Sequence, residues 1–257
     1  MRITYVGHAT VQIEGGETHV LTDPVLRPRV AHLRRIAPPP QLETLLEPDV
    51  VLISHAHLDH LDVPSLRMLD VPLALVPRGC GRLARRAGSR EVIEVEPGQE
   101  LGIGATAIRV VRLAHDGRRH PLSTARETIG YVVAADRRAL VAGDTALFDG
   151  MSEFAGDGLD VALLPVWGWG RRLGPGHMRP ADAARAAARM RPRVAVPIHW
   201  GTLAAPLAPW LSDPARPARE FARYAAEAAG GVEVRIVPPG GSIDIGDDVE
   251  QRLERKG

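Results

Sequence analysis

The sequence predicts a layered α/β or α+β domain whose functional groups gather at the ends of strands. Three observations carry that reading. Short apolar runs recur along the chain, each bounded by turn residues, as buried strands are. Helical patches lie between them, so sheet and helix must cover one another. Several of the runs end directly on His or Asp.

The first half reads as strands at Ile3–Val6, Val11–Glu14, His19–Thr22 and Val50–Ser54. Between them, the Pro- and Arg-rich segment from Pro24 to Pro40 is expected as an irregular loop, because its flanks are strand-like. Strands continue at Leu73–Val76, Glu91–Val95, Thr106–Leu113, Ile129–Ala134 and Ala139–Ala142, with helices near Pro64–Leu69 and Gly81–Ala87. The second half is more evenly α/β. Val161–Pro165 and Val194–Ile198 read as strands, Pro180–Met190 and Pro217–Ala229 as helices, and Val232–Val237 as a closing strand. The 180–190 helix is well marked: Pro180 suits a first turn, Asp182 lies early, Arg189 late, and Pro192 just beyond the end. Its Ala-rich face is suited to close packing on a sheet.

Composition narrows the function classes. With 257 residues and 45% apolar content the chain can bury a large core, and residues 1–257 are expected to form one domain, built as a unit or as two fused halves. A net charge of +1 argues against a nucleic-acid groove and against an anionic membrane surface. Arg supplies nearly all the positive charge, Lys256 being the only lysine. Cys80 is the only cysteine, which excludes an internal disulfide and fits a reducing compartment. Met1–Val6 runs straight into a strand pattern without the features of a signal peptide, and no run approaches the ~18 apolar residues of a membrane span, so a cytoplasmic location is expected.

The chemistry is concentrated in His55-Ala56-His57-Leu58-Asp59-His60, directly after the apolar run Val50–Ser54. Three imidazoles and a carboxylate so close together are costly to order without a ligand, because each favours water over an apolar interior. A metal ion reverses that balance, since neutral imidazole and carboxylate are donors for zinc and neighbouring transition ions. His55 and His57 can point to one ion while Asp59 and His60 swing round the turn toward a second. Further donors stand at similar junctions: His115 after Val110–Leu113, Asp144 after Ala139–Gly143, and His199 after Val194–Ile198. Each alone could be structural; together, beside an HxHxDH loop, they make a constellation.

HxHxDH followed by His, Asp and His from later strands resembles the metallo-β-lactamase superfamily, in order and over nearly the whole chain. The resemblance implies a four-layered αβ/βα sandwich of two similar halves with a dinuclear site at one edge. It implies that one metal takes His55, His57 and His115, that the other takes Asp59, His60 and His199, and that Asp144 bridges them. Two divalent ions are implied, zinc foremost, with manganese or iron as other occupants. Tyr5-Val6-Gly7-His8-Ala9-Thr10, Leu21-Thr22-Asp23-Pro24, Gly143-Asp144-Thr145 and Pro197-Ile198-His199-Trp200-Gly201-Thr202 resemble one subgroup. It contains the L-ascorbate-6-phosphate lactonases and the N-acyl-phosphatidylethanolamine-hydrolysing phospholipase D enzymes. His177-Met178-Arg179-Pro180 resembles the same subgroup and implies a cleft-facing His. The chain departs from the subgroup at Asp116-Gly117-Arg118-Arg119-His120 and in the Arg/Trp composition of 166–176.

The expected function is metal-dependent hydrolysis of a small phosphodiester, lactone or related ester or amide. Asp59 and Asp144 hold the metals and hydroxide, and His177 protonates the leaving oxygen unless it is a helix-flanking His in solvent. His8 and Asp23 are expected to support the metal ligands from behind; Asp23 suits holding the outer ring N–H of a metal-bound His, and can equally cap the turn before Pro24. The tryptophans (167, 169, 200 and 210) suggest one wall of a substrate cleft. Arg118 with Arg119, and Arg171 with Arg172, are candidates for an anionic substrate group, or exposed bystanders. The apolar stretch Leu203–Leu211 suits a membrane contact or a subunit interface in a homo-oligomer. The competing readings are a metal-binding oxidoreductase and a non-catalytic metal-binding module of the same fold; no nucleic-acid partner is expected.

Overall fold

The computed structural model describes residues 1–119, 124, 126–156, 158–169, 173–206 and 212–246. His120, Arg171, Arg172, Trp210, most of Leu203–Leu211 and the polar terminus Asp247–Gly257 lie outside the described residues.

In chain order the first half supplies β1 (Arg2–Gly7), β2 (Thr10–Gly15), β3 (Thr18–Thr22), β4 (Arg29–Val30), β5 (Leu33–Arg35) and β6 (Val50–Leu52). Helix α1 (Val63–Leu66), β7 (Leu73–Pro77), α2 (Gly81–Ala87) and β8 (Glu91–Val95) follow. The second half supplies β9 (Glu100–Ile103), β10 (Thr106–Arg112), β11 (Ile129–Ala134), β12 (Arg138–Val141) and β13 (Val161–Pro165). It continues with α3 (Pro180–Met190), β14 (Val194–Ile198), β15 (Leu203–Ala204), α4 (Arg216–Ala228), β16 (Glu233–Val234) and β17 (Gly241–Asp244).

Among the described residues these strands form two large sheets, ordered β17-β1-β2-β3-β6-β7-β8 and β16-β14-β13-β12-β11-β10-β9, plus a small sheet β15-β5-β4. Each large sheet runs antiparallel at one side and parallel at the other, the parallel pairs being β3/β6/β7/β8 and β12/β13/β14/β16. That repetition is the similarity of the two halves.

Side-chain alternation builds the layers. Val20, Val50, Leu52 and Leu75 face the second sheet and share one core with Ile108, Ile129, Tyr131 and Leu163. Leu21, Val51, Ile53, Ala74 and Val76 point the other way and bury against Leu66 and Ala84 of α1 and α2. On the opposite side Ala183, Ala184, Ala186 and Ala187 of α3 join the core beneath the second sheet together with Phe221 of α4. The order helix, sheet, sheet, helix is the four-layered αβ/βα sandwich. The Tyr131 hydroxyl donates to Ile53 O at 2.8 Å, tying the two sheets where β6 ends.

Several boundaries differ from expectation for identifiable reasons. The strand at Val50 stops at Leu52, not Ser54, because Asp23 Oδ1 captures the Ser54 N–H at 2.7 Å and turns the chain out of the ladder. The Pro24–Pro40 segment is not wholly irregular: β4 and β5 form a short hairpin in it, held by pairing of β5 with β15. Strand β17 escapes the sequence because Gly241-Ser242-Ile243-Asp244 has no apolar run; it forms by pairing with β1. Helix α3 has the predicted bounds, with the Asp182 carboxylate accepting from Arg179 N.

Candidate metal centre

The carboxyl ends of β6, β10, β12 and β14 come together at one edge of the sandwich, and the loops leaving them carry His55, His115, Asp144 and His199. Ligands in such sheets commonly sit beyond strand carboxyl ends. The His55–His60 loop closes as a tight turn, His60 N and Leu61 N both bonding to His57 O. Arg119 Nη1 secures the loop by donating to Ala56 O at 2.8 Å and Leu61 O at 3.0 Å. Gly143 is required here, since a Cβ would stand 2.5 Å from the Ser54 Cβ.

All seven sequence-predicted donors converge. His55, His57, His115 and Asp144 form one group, and Asp59, His60 and His199 form a second together with His8; within each, the donor atoms lie within 4.8 Å of one another. In the first group His57 Nδ1 lies 2.9 Å from His55 Nε2 and 3.3 Å from His115 Nε2. Asp144 reaches between the groups: its Oδ1 is 3.1 Å from His199 Nε2, and its Oδ2 is 3.3 Å from His60 Nε2 and 4.0 Å from His55 Nε2.

The outer nitrogens are spoken for. His60 Nδ1 donates to Asp23 Oδ2, His115 Nδ1 to Gly176 O, and His199 Nδ1 to Trp167 O, each at 2.8 Å. Those bonds fix each ring with Nε2 directed inward, the arrangement found around metal-bound imidazoles. Yet His60 Nε2, His199 Nε2 and Asp144 Oδ1 are buried without a hydrogen-bond partner. Unpaired buried polar atoms cost about 1–3 kcal/mol each. A cation shared among these donors removes that cost, so the residues present fit a metal.

Protonation follows the same logic. Burial pushes the His57 imidazole down to about 4 and His199 to about 3, and lowers His55 and His115 as well. For Asp59 and Asp144 burial opposes ionisation, but the His8 hydrogen bond to Asp59 and the imidazoles of His199 and His60 around Asp144 hold both well below the usual carboxylate range. Neutral imidazoles beside ionised carboxylates are the donor forms a divalent ion takes. His60 differs: burial disfavours its proton, but Asp144 and Asp23 on either side raise it well above an ordinary imidazole. A divalent cation held at His60 would take the place of that proton.

His8 stands against a candidate ligand, its Nε2 donating to Asp59 Oδ2 at 3.1 Å, and it also lies within the second donor group. One expectation is revised. The three described tryptophans do not form one wall. Trp169 lines the cleft, and its Nε1 donates to Asp59 Oδ2 at 3.0 Å. Trp200 is buried against Tyr5, because its indole bonds back to Pro197 O. Trp167 packs with Ile36 and Ala204 beside the small sheet. Asp23 has the expected role toward His60, and its second oxygen also ends β6. Sequence reasoning missed Trp169 as a partner of Asp59, for nothing in a lone Trp after a strand marks it.

His177 stands at the cleft side of the donors, with Nε2 3.3 Å from Asp144 Oδ2. Burial lowers its affinity for a proton, but the bond to Asp144 outweighs that and raises it. Three residues here, His8 (φ 60), Asp23 (φ 36) and His199 (φ 63), hold left-handed backbone that costs about 1–3 kcal/mol each in non-glycine residues. His199 N donates to His8 O at 2.8 Å, so the strain is locked in by a bond between the first and last strands of the site.

A family model described as a β-lactamase superfamily domain matches residues 18–200. A protein of Opitutus terrae described as a UPF0173 metal-dependent hydrolase is 33% identical over 254 residues, covering 95% of this chain and 100% of that one. Among solved structures, a metallo hydrolase from the archaeon Ignicoccus hospitalis superimposes with a TM-score of 0.69 at 22% identity, covering 94% of this chain and 97% of that one. An isothiocyanate hydrolase from Delia radicum gut bacteria gives a TM-score of 0.73 at 18% identity, over 95% and 98% of the two chains. The structural likenesses establish the fold, and the sequence matches the kinship: the chain belongs to the metallo-β-lactamase superfamily, in the family of UPF0173 metal-dependent hydrolases.

Proposed function

We propose that the chain is a dinuclear metal-dependent hydrolase that cleaves a small phosphodiester, lactone or related ester or amide. The observation that carries this reading is the convergence of two groups of His and Asp donors on Asp144, whose oxygens stand 3.1 Å from His199 Nε2 and 3.3 Å from His60 Nε2, both nitrogens buried without an aligned hydrogen bond. One ion is assigned to His55, His57 and His115, the other to Asp59, His60 and His199, with Asp144 shared. Bound divalent ions supply activated water near neutral pH and Lewis acidity toward a carbonyl or phosphoryl oxygen. Zinc suits this imidazole-rich set best; manganese and iron also accept it.

The chain's own groups divide the remaining work. Asp144 holds the two sites in register, its two oxygens facing different imidazoles. Asp23, Gly176 and Trp167 orient the His rings through their outer nitrogens. His177 Nε2 faces the cleft beside Asp144 and holds a proton for the leaving oxygen. A location in a reducing compartment agrees with the one, buried cysteine, Cys80. Among the described residues no helix is long and apolar enough to cross a membrane. We assign the whole chain to a single catalytic domain, closest in its motifs to the lactonase and phospholipase D subgroup.

The test is the initial rate on a chromogenic phosphodiester and on a simple lactone, with protein reconstituted with zinc or manganese and Asp144→Asn as control. Turnover of either that the substitution abolishes is the expected result. Equal rates for wild type and variant on both substrates contradict the proposal.

A further inference from the structure

A cleft of about 740 Å³ opens in front of the two donor groups, with His57, Asp59, His115, Asp144 and His177 at its inner end. Its walls are of another character. Val30, Ala31 and Leu33 of the β4–β5 hairpin line it together with Trp169, which packs against the hairpin cluster, and with Leu58, and most of the surface it presents is apolar. Leu58 is 40% exposed although it sits between the donors His57 and Asp59. Beside the apolar hairpin and Trp169, Leu58 adds to one contiguous apolar lining rather than standing alone. Trp169 has its one polar atom committed to Asp59, which leaves the rest of its indole as wall. The hairpin is firmly seated: Val25, Val30, Leu33 and Leu203 pack together against Trp169, and β15 pairs with β5.

Two arginines also line the cleft: Arg119 Nη1 donates to the carbonyls of Ala56 and Leu61, and the half-exposed Arg118 has its Nε 3.5 Å from Asp116 Oδ1. We propose that the hairpin, Leu58 and Trp169 form an apolar subsite that binds an uncharged acyl or alkyl group of the substrate next to the scissile bond. The proposal rests on the hydrolase reading above and narrows it to carbonyl esters or lactones bearing a hydrocarbon substituent.

The experiment compares p-nitrophenyl acetate, butyrate and hexanoate on the metal-reconstituted full chain, with methyl p-nitrophenyl phosphate as an anionic probe. Burial gives about fourfold per methylene at most, so kcat/KM is expected to rise at least ~10-fold from acetate to hexanoate. Ala31→Asp places a charge in the subsite at a left-handed position (φ 49) that Asp tolerates. It should remove the chain-length gain, so that kcat/KM no longer rises from acetate to hexanoate. A flat chain-length series, or the small phosphodiester outpacing hexanoate, overturns the proposal. Calorimetric binding of octanoate and acetate separates this from the hydrolase reading, because it needs no turnover. Octanoate should bind at least ~10-fold more tightly to wild type and no better than acetate to Ala31→Asp. Equal binding of the two acids to wild type overturns the subsite even if esters are hydrolysed, whereas selective octanoate binding without turnover of the esters or the phosphodiester sustains the subsite and counts against the hydrolase reading.

Discussion

Asp144 meets four imidazoles from three separate loops, and its Oδ1, 3.1 Å from His199 Nε2, makes no aligned hydrogen bond. Asp144→Asn keeps the shape and removes the charge, so the His groups lose the anion that holds them in one site. Metal affinity should fall by more than the ~10–100-fold typical of a residue that only orients a ligand. Asp23→Asn falls within that range, since His60 loses a charged acceptor but keeps its place; competition with a chelator measures both. His8 and Trp169 share Asp59 Oδ2 and leave Oδ1 for other partners. His8→Ala should weaken metal binding at least ~10-fold, while His8→Gln, whose amide N–H can reach the same oxygen, retains most of it. If Gln fails as badly as Ala, His8 is itself a ligand. At this scale the convergence of the seven expected donors was legible because His55, His115, Asp144 and His199 each come after an apolar run and the HxHxDH spacing is specific. Trp169 as a partner of Asp59 was not, because it is brought in from far along the sequence, and His8 was expected beside the ligands without its partner being legible.

The elements explain how separate loops hold angstrom-scale geometry. Gly176 lies at φ 86, and a Cβ there would stand 2.8 Å from His115 Nδ1, the atom whose bond to Gly176 O sets the ring. Gly176→Ala should therefore lower metal affinity ~10–100-fold while circular dichroism stays that of the wild type. An unchanged affinity would show that the 173–178 segment does not position His115. Helix α3 was readable to the residue because Pro180, Asp182 and Pro192 punctuate it. The β4–β5 hairpin was hidden by prolines and arginines that read as loop, and β17 by the lack of apolar residues. Both form through backbone pairing with distant strands, which local pattern does not encode. The consequence is functional: the wall of the cleft lay in the segment the sequence rendered least clearly.

At the scale of the molecule, two sheets close over one core and leave their donor loops at a single edge, so metal binding and folding are linked. An ion at 1,000 times its Kd adds about 4 kcal/mol to the folded state. For a domain of this size each kcal/mol moves Tm by roughly 2–4 °C, so chelation should lower Tm by ~10 °C, reversibly on adding metal. Alkaline pH probes the sandwich itself. Burial pushes the Tyr5 hydroxyl up to about 12 from an unfolded value of 10, and raises Tyr131 well above its ordinary value. Stability is then intact below pH 10 and declines above it as the unfolded phenols ionise first, by roughly 1.4 kcal/mol per pH unit for each tyrosine up to its folded value. Urea midpoints of the metal-free protein at pH 9 and pH 11 check the sign; a higher midpoint at pH 11 contradicts it.

The central claim is that this edge holds two ions through seven donors with Asp144 between them. Metal-to-protein stoichiometry by mass spectrometry of the reconstituted, desalted chain tests it most directly, with Asp144→Asn measured in parallel. Two ions per chain in wild type, falling to one or fewer in the variant, is the predicted result. One ion or none in the wild type, or two in both proteins, would contradict it.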